Sequence, residues 1–420
     1  MGNVESDDAI FMVCMSEIGL KQYATMRIPS DCRSCNEGSY GRVYTIESSS
    51  DAYADWPPKC VVKVFKDGKP FDEGSAHEKT YTTIESKLHK TVDEFLRYMR
   101  ERGSNSSPWW KADWWEYRTL VELTRVSDSS GEQCFPCPYA FGWVYCGKNG
   151  QIGLESGSIT EHVICAAIVM ENLSNFRSLY DVRQETEKNI LSDSKVVAQL
   201  GLHLLGALDK MEKKSIVHRD ISCHNVLVHL NDESIDQVRL IDFGTSCRAS
   251  SATLTDRRDI GTYDFMAPEC LELNDENEEI WYGEKEMEKI YSRNLPTVDI
   301  WSFGALIYYA RTGDFPFRLR NYTHENGRND VSHAELTRAK KQGILATQWA
   351  CINKKKRSHK FNLLNDVIWE CTQFYPRDRM RIDTIRQTLL DILAEESEKD
   401  IEKMNHSDNL KLEHTVLISV

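Results

Sequence analysis

Three polar residues in the middle of the chain are of the types that phosphoryl transfer uses. Asp220 and Asn225 lie in residues 218–225 (HRDISCHN), and Asp242 begins the triplet DFG at residues 242–244. Transfer of a phosphoryl group needs a carboxylate at the acceptor hydroxyl and oxygen ligands for Mg²⁺. We therefore predict that Asp220 orients the attacking hydroxyl and that Asn225 and Asp242 hold the metal. The triplet gains weight because it lies 242 − 220 = 22 residues after Asp220 and follows a β-type run.

A glycine-containing turn and a lysine, both earlier in the chain, are suited to binding phosphate groups. The turn contains Asn36, Gly38, Gly41 and Val43, and its glycines allow backbone N–H groups to approach phosphate oxygens. Lys63 follows in a second β-type run, where a long cation could reach the α- and β-phosphates. Each feature alone is common in other settings, so the prediction depends on their order along the chain.

A lysine with this task needs a carboxylate on the following helix to hold its ammonium group. Glu116 is the preferred candidate, because apolar residues follow it at helical spacing and a strand is expected after them. Glu78 and Glu85 are nearer in sequence and remain alternatives. The separation from Lys63, 116 − 63 = 53 residues, is long, and an insertion at residues 67–108 would account for it.

The elements that must position these residues change character along the chain. Runs of β-branched and aromatic residues predict strands at 42–46, 60–65, 139–145 and 163–170. Apolar residues at helical spacing predict helices at 81–100, 115–123, 196–211, 298–309 and 382–393. Strands with few helices, followed by helices, predict an α+β fold of two lobes with a cleft between them.

These elements suggest a division of the chain. An N-terminal extension covers residues 1–29, and regular structure is expected to begin near Pro29. One main domain covers residues 30–394, and a polar tail covers 395–420. Within the main domain, a small β-rich N-lobe spans 30–171 and includes the insertion at 67–108. A larger helical C-lobe spans 172–394 and includes an acidic insertion at 271–296.

Four further motifs follow the DFG triplet in order. They are residues 261–269 (GTYDFMAPE), 299–304 (DIWSFG), 312–317 (TGDFPF) and 376–379 (PRDR). With the motifs described above, they make the chain resemble the eukaryotic-type protein kinases over residues 30–394. The resemblance implies a bilobal kinase fold and a Ser/Thr protein kinase that uses ATP and Mg²⁺ on a protein substrate. It also implies a buried pair between Glu269 and Arg379.

The resemblance assigns five residues to the nucleotide. Met170 would be the gatekeeper, and Glu171 and Asn172 would form the hinge. Val43 and Leu227 would enclose the adenine ring from its two faces.

The resemblance also assigns two more residues to the catalytic group. Arg219, directly before Asp220, marks the branch of the family in which this arginine pairs with a phosphorylated activation loop. Thr262 favours the Ser/Thr class. Candidate phosphorylation sites in the loop are Ser250, Ser251, Thr253 and Thr255.

Two residues depart from the family's pattern. Asn36 replaces the first glycine of the phosphate loop, at small cost because asparagine tolerates positive φ. Ser222 replaces the lysine expected near the γ-phosphate, and residues 220–222 are loosely similar to the fungal-type protein kinase group. The departures leave two alternatives: a pseudokinase that binds nucleotide without turnover, and a small-molecule phosphotransferase. Thr262 and residues 267–269 (APE) speak against the second.

Composition limits the classes of partner. The chain of 420 residues has 52 basic and 65 acidic side chains, a formal net charge of −13. That balance argues against nucleic acid or an anionic membrane as the main partner. The longest apolar run, residues 163–170, is far shorter than the ~20 residues of a transmembrane helix.

The cysteines and the N-terminal residues indicate where in the cell the protein is expected to be found. Thirteen cysteines and an acidic start without a secretory signal predict reduced thiols in a cytoplasmic, intracellular protein. The pairs Cys32/Cys35 and Cys134/Cys137 raise a zinc alternative, but they lie far apart in sequence, so structural thiols are favoured. Residues 1–6 (MGNVES) match the N-myristoylation pattern with Gly2 as acceptor, which would permit weak membrane contact.

Overall fold

Eight strands between Ala9 and Glu171 form one antiparallel sheet. They are β1 (Ala9–Met15), β2 (Gln22–Ile28), β3 (Ser34–Glu37), β4 (Gly41–Glu47), β5 (Lys59–Phe65), β6 (Lys69–Pro70), β7 (Pro138–Gly147) and β8 (His162–Glu171). Their order across the sheet is β2-β1-β7-β8-β5-β4-β3, and β6 pairs with β8. Valine and isoleucine are frequent in β5 and β8, and such β-branched residues favour strands.

The structure is a computed structural model. It describes residues 9–15, 22–28, 34–37, 41–47, 59–66, 69–70, 81–100, 110–126, 131–147, 162–185, 190–231, 234–249, 261–270, 296–316 and 363–397. The chain divides into two compact units. The first unit contains residues 1–127 and 136–174, and the second contains residues 128–135 and 175–420.

The N-terminal residues differ from the sequence prediction. Residues 1–29 were expected to be an extension, yet β1 and β2 both lie there and both belong to the sheet. Phe11 to Cys14 of β1 pair with Phe141 to Val144 of β7. A lone β7 edge would expose unpaired backbone N–H and C=O groups, and pairing with β1 satisfies them. The prediction that regular structure begins near Pro29 is therefore wrong.

Two helices pack against the sheet of the first unit. They are α1 (Tyr81–Arg100) and α2 (Lys111–Thr124). The helix α1 lies in the insertion predicted at 67–108 and has the predicted bounds. It contributes to the core rather than standing apart, since Leu88, Val92 and Phe95 are almost fully buried in a cluster with residues of α2, β7 and β8.

The second unit is mainly helical. Its helices are α3 (Leu179–Gln184), α4 (Ser194–Lys213), α5 (Thr297–Thr312), α6 (Leu363–Cys371) and α7 (382–397). Asp193 caps α4 by accepting a hydrogen bond from the Lys195 backbone N–H at 2.8 Å. The predicted apolar stripe of α4 is buried, from Val196 to Met211. The helix α7 continues to residue 397 and so includes the first residues of the predicted polar tail, 395–420.

Short strands complete the second unit. They are β9 (Arg177–Ser178), β10 (Ile216–Val217), β11 (Val226–Asn231), β12 (Ser234–Leu240) and β13 (Cys247–Arg248). The strands β11 and β12 form an antiparallel hairpin, β9 pairs with β11, and β10 pairs with β13. The predicted α+β class is confirmed: the first unit has an antiparallel sheet, and the second is largely helical.

The segment 131–135 follows α2 in the chain but packs within the second unit. Glu132 Oε1 lies 2.5 Å from His203 Nδ1 on α4, and Lys210 Nζ donates to the Glu132 carbonyl oxygen. The Leu240 backbone N–H donates to the Cys134 carbonyl oxygen at 2.9 Å. The hydrogen bond to Glu132 raises the pKa of His203, while partial burial opposes that effect.

Within the described ranges, no helix is both long and apolar enough to cross a membrane.

Candidate active site

The hairpin of β11 and β12 brings the two predicted metal ligands to one end of a sheet. Val226 pairs with Leu240, so Asn225 directly precedes one strand and Asp242 shortly follows the other. The Ile241 backbone N–H donates to the Asn225 carbonyl oxygen at 3.0 Å, which extends the pairing beyond the strands. Local chain geometry therefore places both residues at the same edge.

Asp220 is held by side chains on both of its carboxylate oxygens. Oδ1 accepts hydrogen bonds from the backbone N–H and the hydroxyl of Thr262, both at 2.7 Å. Oδ2 accepts from Asn225 Nδ2 at 2.9 Å, and the same nitrogen donates to the Asp220 carbonyl oxygen at 2.9 Å. Only 9% of Asp220 is exposed. Charge-assisted bonds of this kind hold a carboxylate in one orientation.

The donor set fits a magnesium ion. Asn225 uses Nδ2 for both of its bonds to Asp220, so its amide oxygen is the atom that it can offer to a cation. Asp242 supplies a carboxylate, and hard oxygen ligands of these two kinds are the ones that Mg²⁺ prefers. Asp242 has φ 66° and ψ 76°, in the left-handed region. Backbone strain of this kind is concentrated at functional sites.

His218 and Asp299 support the loop that carries Asp220. Asp299 Oδ2 accepts from the His218 backbone N–H at 2.8 Å, and Oδ1 accepts from the Arg219 N–H at 3.0 Å. The His218 ring accepts from the Asp220 N–H through Nδ1 and donates through Nε2 to the Ile241 carbonyl oxygen. Complete burial raises the pKa of Asp299, and the two amide donors and the charge of Arg219 oppose the shift.

Neither supporting residue was among the predicted site residues. The motif at 299–304 was recognised from the sequence, but a partner 81 residues from His218 is not visible in a linear pattern. The spacing of the motifs is the only signal that could have suggested it.

Gly261 allows Thr262 to reach Asp220. Gly261 has φ +108°, and a Cβ atom there would lie 2.3 Å from the Arg219 carbonyl oxygen. No L side chain fits without displacing backbone, so only glycine lets the two segments approach this closely. The sequence motif contains this glycine, but its steric role is evident only from the folded chain.

Arg219 takes part in the fold of the same loop. Its Nε donates to the Thr245 carbonyl oxygen at 2.6 Å, and the Thr245 hydroxyl donates to the His218 carbonyl oxygen at 3.0 Å. Its φ is +68°, which is uncommon outside glycine. The structure thus links Arg219 to the segment after the DFG triplet.

Ser222 and Cys223 are buried in the loop. Ser222 has no exposed surface, and its hydroxyl has no hydrogen-bond partner among the described residues. Its side chain is therefore directed into the protein. A lysine ammonium group would be unfavourable in that buried position, because it would lose its hydration. Burial raises the pKa of the Cys223 thiol to about 12, which disfavours the nucleophilic thiolate form.

In the first unit, Lys63 and Glu116 form a buried ion pair. Lys63 Nζ lies 2.7 Å from Glu116 Oε1 and 3.0 Å from Oε2. The side chains are 11% and 2% exposed. The structure thus brings Lys63 together with Glu116, the preferred candidate of the three glutamates, across 53 residues of sequence.

The predicted nucleotide residues of the first unit lie on neighbouring strands. Val43 of β4 pairs with Lys63 of β5, and Met170 of β8 is partly buried against the core cluster. Glu171 joins β8 to the start of β7: its N–H donates to the Cys137 carbonyl oxygen at 2.8 Å, and its Oε2 accepts from the Cys137 N–H at 3.1 Å. Asn172 Oδ1 accepts from the Ser174 N–H at 2.9 Å.

Two other predicted nucleotide residues are also located. Asn36 lies in β3, where it pairs with Val43. Leu227, in the second unit, lies in β11 and is partly buried.

Glu269 and Arg379 form a second buried ion pair, in the second unit. The two guanidinium nitrogens lie 2.5 and 2.6 Å from the two carboxylate oxygens. Arg379 also donates to the carbonyl oxygens of Gln373 and Thr297, at 3.0 and 2.8 Å. This bidentate arrangement ties the segment after Thr262 to the C-terminal part of the unit.

Several predicted features lie outside the described residues. They are Gly2, Gly38, Cys32, the candidate phosphorylation sites (Ser250, Ser251, Thr253 and Thr255) and nearly all of the acidic insertion at 271–296. Within the described ranges, no group of three or more His, Cys, Asp or Glu side chains is arranged to hold a metal ion. Cys134 is buried and Cys137 is partly exposed.

Comparison with known proteins agrees with the motifs. The family model for the protein kinase domain matches residues 158–390, more than half of the chain. The chain therefore belongs to the protein kinase family.

Individual relatives are Ser/Thr kinases at low identity. The Aurora kinase of Saccharomyces cerevisiae is 25% identical over 220 residues, covering 52% of this chain and 47% of the relative. The serine/threonine-protein kinase SBK1 of Mus musculus is 36% identical over 121 residues, covering 29% of this chain and 24% of the relative. The chain thus spans less than half the length of these relatives. They support assignment to the eukaryotic-type protein kinases.

Proposed function

We propose that this chain is an active Ser/Thr protein kinase that transfers the γ-phosphate of Mg·ATP to hydroxyl groups of a protein substrate. The observation that carries the proposal is the Asp220 carboxylate, held at 2.7 Å by Thr262 and at 2.9 Å by Asn225. Family membership and Ser/Thr kinase relatives support the same class of reaction.

In the proposed reaction, the substrate hydroxyl oxygen forms a bond to the γ-phosphorus, and the bond from that phosphorus to the β-phosphate oxygen breaks. The hydroxyl proton goes to Asp220, and ADP leaves. Asp220 needs no unusual basicity, because positioning and electrostatics supply most of the acceleration in phosphoryl transfer. The fixed orientation of its carboxylate supports this role.

The ion pair in the first unit has a matching role. Lys63 would bind the α- and β-phosphates, and Glu116 would keep the ammonium group in position. Met170, Glu171, Asn172, Val43 and Leu227 would contact the adenine. The turn at Asn36, Gly38 and Gly41 would approach the phosphates.

The metal has its own ligands in the proposal. Asn225 and Asp242 would bind Mg²⁺, which when present offsets negative charge on the phosphates. Neither residue needs to move a proton for this.

The test is Mg²⁺-dependent transfer of labelled γ-phosphate to a generic basic protein, followed by identification of the modified residues. In Asp220→Asn, one carboxylate oxygen becomes an NH2 group that cannot accept from Thr262 or Asn225, so both the proton acceptor and its fixed orientation are lost. We expect transfer to fall by about 10²–10⁴-fold. Asp391→Asn, at an exposed carboxylate of α7, is the matched control. Transfer by Asp220→Asn at the wild-type rate would refute the assignment.

One observation favours a second candidate, a pseudokinase that binds nucleotide without turnover. Ser222 stands where the family has a lysine, and its side chain is buried. This candidate predicts that ATP raises the melting temperature while labelled phosphate never reaches protein. Phosphotransfer that disappears in Asp220→Asn would exclude it.

A further inference from the structure

The helix α1 lies between Lys63 and Glu116 in the sequence and packs beside the helix that carries Glu116. Four aromatic residues of the first unit surround Phe95 of α1: Trp110, Trp114, Phe141 and Trp143. These five residues are called the aromatic cluster below. The cluster connects the N-terminal end of α2 to the strand β7.

The N-terminal end of α2 lacks a side-chain cap. Trp110 occupies the N-cap position, where its side chain makes no capping hydrogen bond. Serine, threonine, aspartate and asparagine normally satisfy the first N–H groups of a helix from this position. The first turn of α2 is therefore held by packing rather than by a cap.

Phe95 supplies much of that packing. Its ring centroid lies 5.0 Å from that of Trp110 and 4.9 Å from that of Trp114, both in edge-to-face arrangements. It lies 5.1 Å from Trp143 of β7. Phe95 is 1% exposed, so its ring is packed between α2 and the sheet.

Movement of this turn would affect the ion pair directly. Glu116 lies two residues after Trp114 on the same short helix, whereas Lys63 lies on β5 with a paired strand on each side. A buried ion pair is favourable only in good geometry, because both charges have lost their hydration. The position of α2 therefore decides whether the pair forms.

We propose that α1 is a built-in positioning element for the Lys63–Glu116 pair, with Phe95 as its positioning residue. The helix holds the first turn of α2 against β7 and so keeps Glu116 within hydrogen-bond distance of Lys63. The effect on catalysis rests on the proposed kinase function, but the effect on the ion pair does not.

The first experiment measures the ion pair without using activity. The full chain, free of nucleotide, is treated with an amine-acylating reagent, and the modification of Lys63 is followed by mass spectrometry relative to exposed Lys213. Phe95→Ala should raise the acylation rate of Lys63 about threefold or more, toward the rate in Glu116→Gln, because the ammonium loses its partner for part of the time. Phe95→Leu, which keeps most of the volume, should lie between.

The control for general destabilisation is Leu389→Ala, at a fully buried position in the second unit. It should leave the Lys63 rate unchanged. Equal rates in wild type and a folded Phe95 variant would overturn the proposal, as would an equal increase in Leu389→Ala. If Phe95→Ala does not fold, the comparison is made with Phe95→Leu.

The second experiment is a double-mutant cycle on kcat/KM for ATP. Phe95→Ala should lower it about tenfold in the wild-type background and have little further effect in Glu116→Gln, because both changes remove the same interaction. Additive losses would overturn the proposal while leaving the kinase function intact. Absence of phosphotransfer in the wild type would instead refute the proposed function, and the acylation rates would still decide the role of α1.

Discussion

Replacing Gly261 by alanine should disable the site through backbone displacement rather than through loss of a catalytic group. The new Cβ would lie 2.3 Å from the Arg219 carbonyl oxygen, and real contacts of this kind are not shorter than 3.0 Å. The backbone must therefore move by about 0.7 Å, the difference between these two distances. The φ of +108° adds strain of about 1–3 kcal/mol for a residue with a side chain.

The displacement acts on the neighbouring residue. Thr262 makes two 2.7 Å hydrogen bonds to Asp220, and a shift of that size would stretch them beyond the range of charge-assisted bonds. A hydrogen bond to a charged group contributes about 1.5–3 kcal/mol. Loss of one such bond in the transition state corresponds to a fall in kcat of about 10- to 100-fold.

The assay is phosphate transfer by purified Gly261→Ala at saturating ATP, with melting temperature measured in parallel. The matched control is Gly131→Ala, because Gly131 has φ +64° but a Cβ there would meet nothing within 4 Å. The control carries backbone strain without a clash. A kcat for Gly261→Ala within about twofold of wild type, or an equal loss in Gly131→Ala, would refute the reasoning.

Three further predictions concern stability. Arg379→Met should lower the free energy of unfolding by about 3–5 kcal/mol in urea titration, because the buried Glu269 carboxylate loses its two bonds to the guanidinium group, and adding Glu269→Gln should restore part of the loss. The raised pKa of His203 means that its bond to Glu132 stabilises the fold below the unfolded pKa of about 6.5 and that this contribution is lost as pH rises through the folded pKa. Urea unfolding should therefore show that wild type loses stability relative to His203→Gln as the pH rises above about 6.5, and parallel pH profiles would contradict this. Ser222→Ala should leave the melting temperature unchanged or raise it, because it removes a buried hydroxyl without a partner among the described residues, and a clear fall would show that the hydroxyl is bonded.

Local parts of the site could be predicted from the sequence. Asn225 and Asp242 flank a short hairpin, and neighbouring antiparallel strands must bring such residues to one edge. The helix α1 has the predicted bounds, Tyr81–Arg100, because helical periodicity is itself a local property.

Parts of the fold that depend on residues far apart in the chain were harder to predict from the sequence. Strands β1 and β2 were not predicted, and the segment that contains them was expected to be an extension. The pairing of β1 with β7 depends on residues more than a hundred positions away, which a local pattern does not reveal. The sequence also suggested an insertion around α1 but not its packing, since the fit of Phe95 between Trp110 and Trp143 depends on the arrangement of α2 and the sheet.

By itself, the sequence determined the protein kinase family and the α+β class, and it indicated candidate groups for phosphate transfer. These follow from residue types and from spacing along the chain. Only the tertiary structure decided that Glu116 is the partner of Lys63, that Thr262 and Asn225 orient Asp220, and that the Ser222 side chain is buried. Those facts depend on distances of a few ångströms between segments far apart in sequence, and such distances are set by packing of the whole unit.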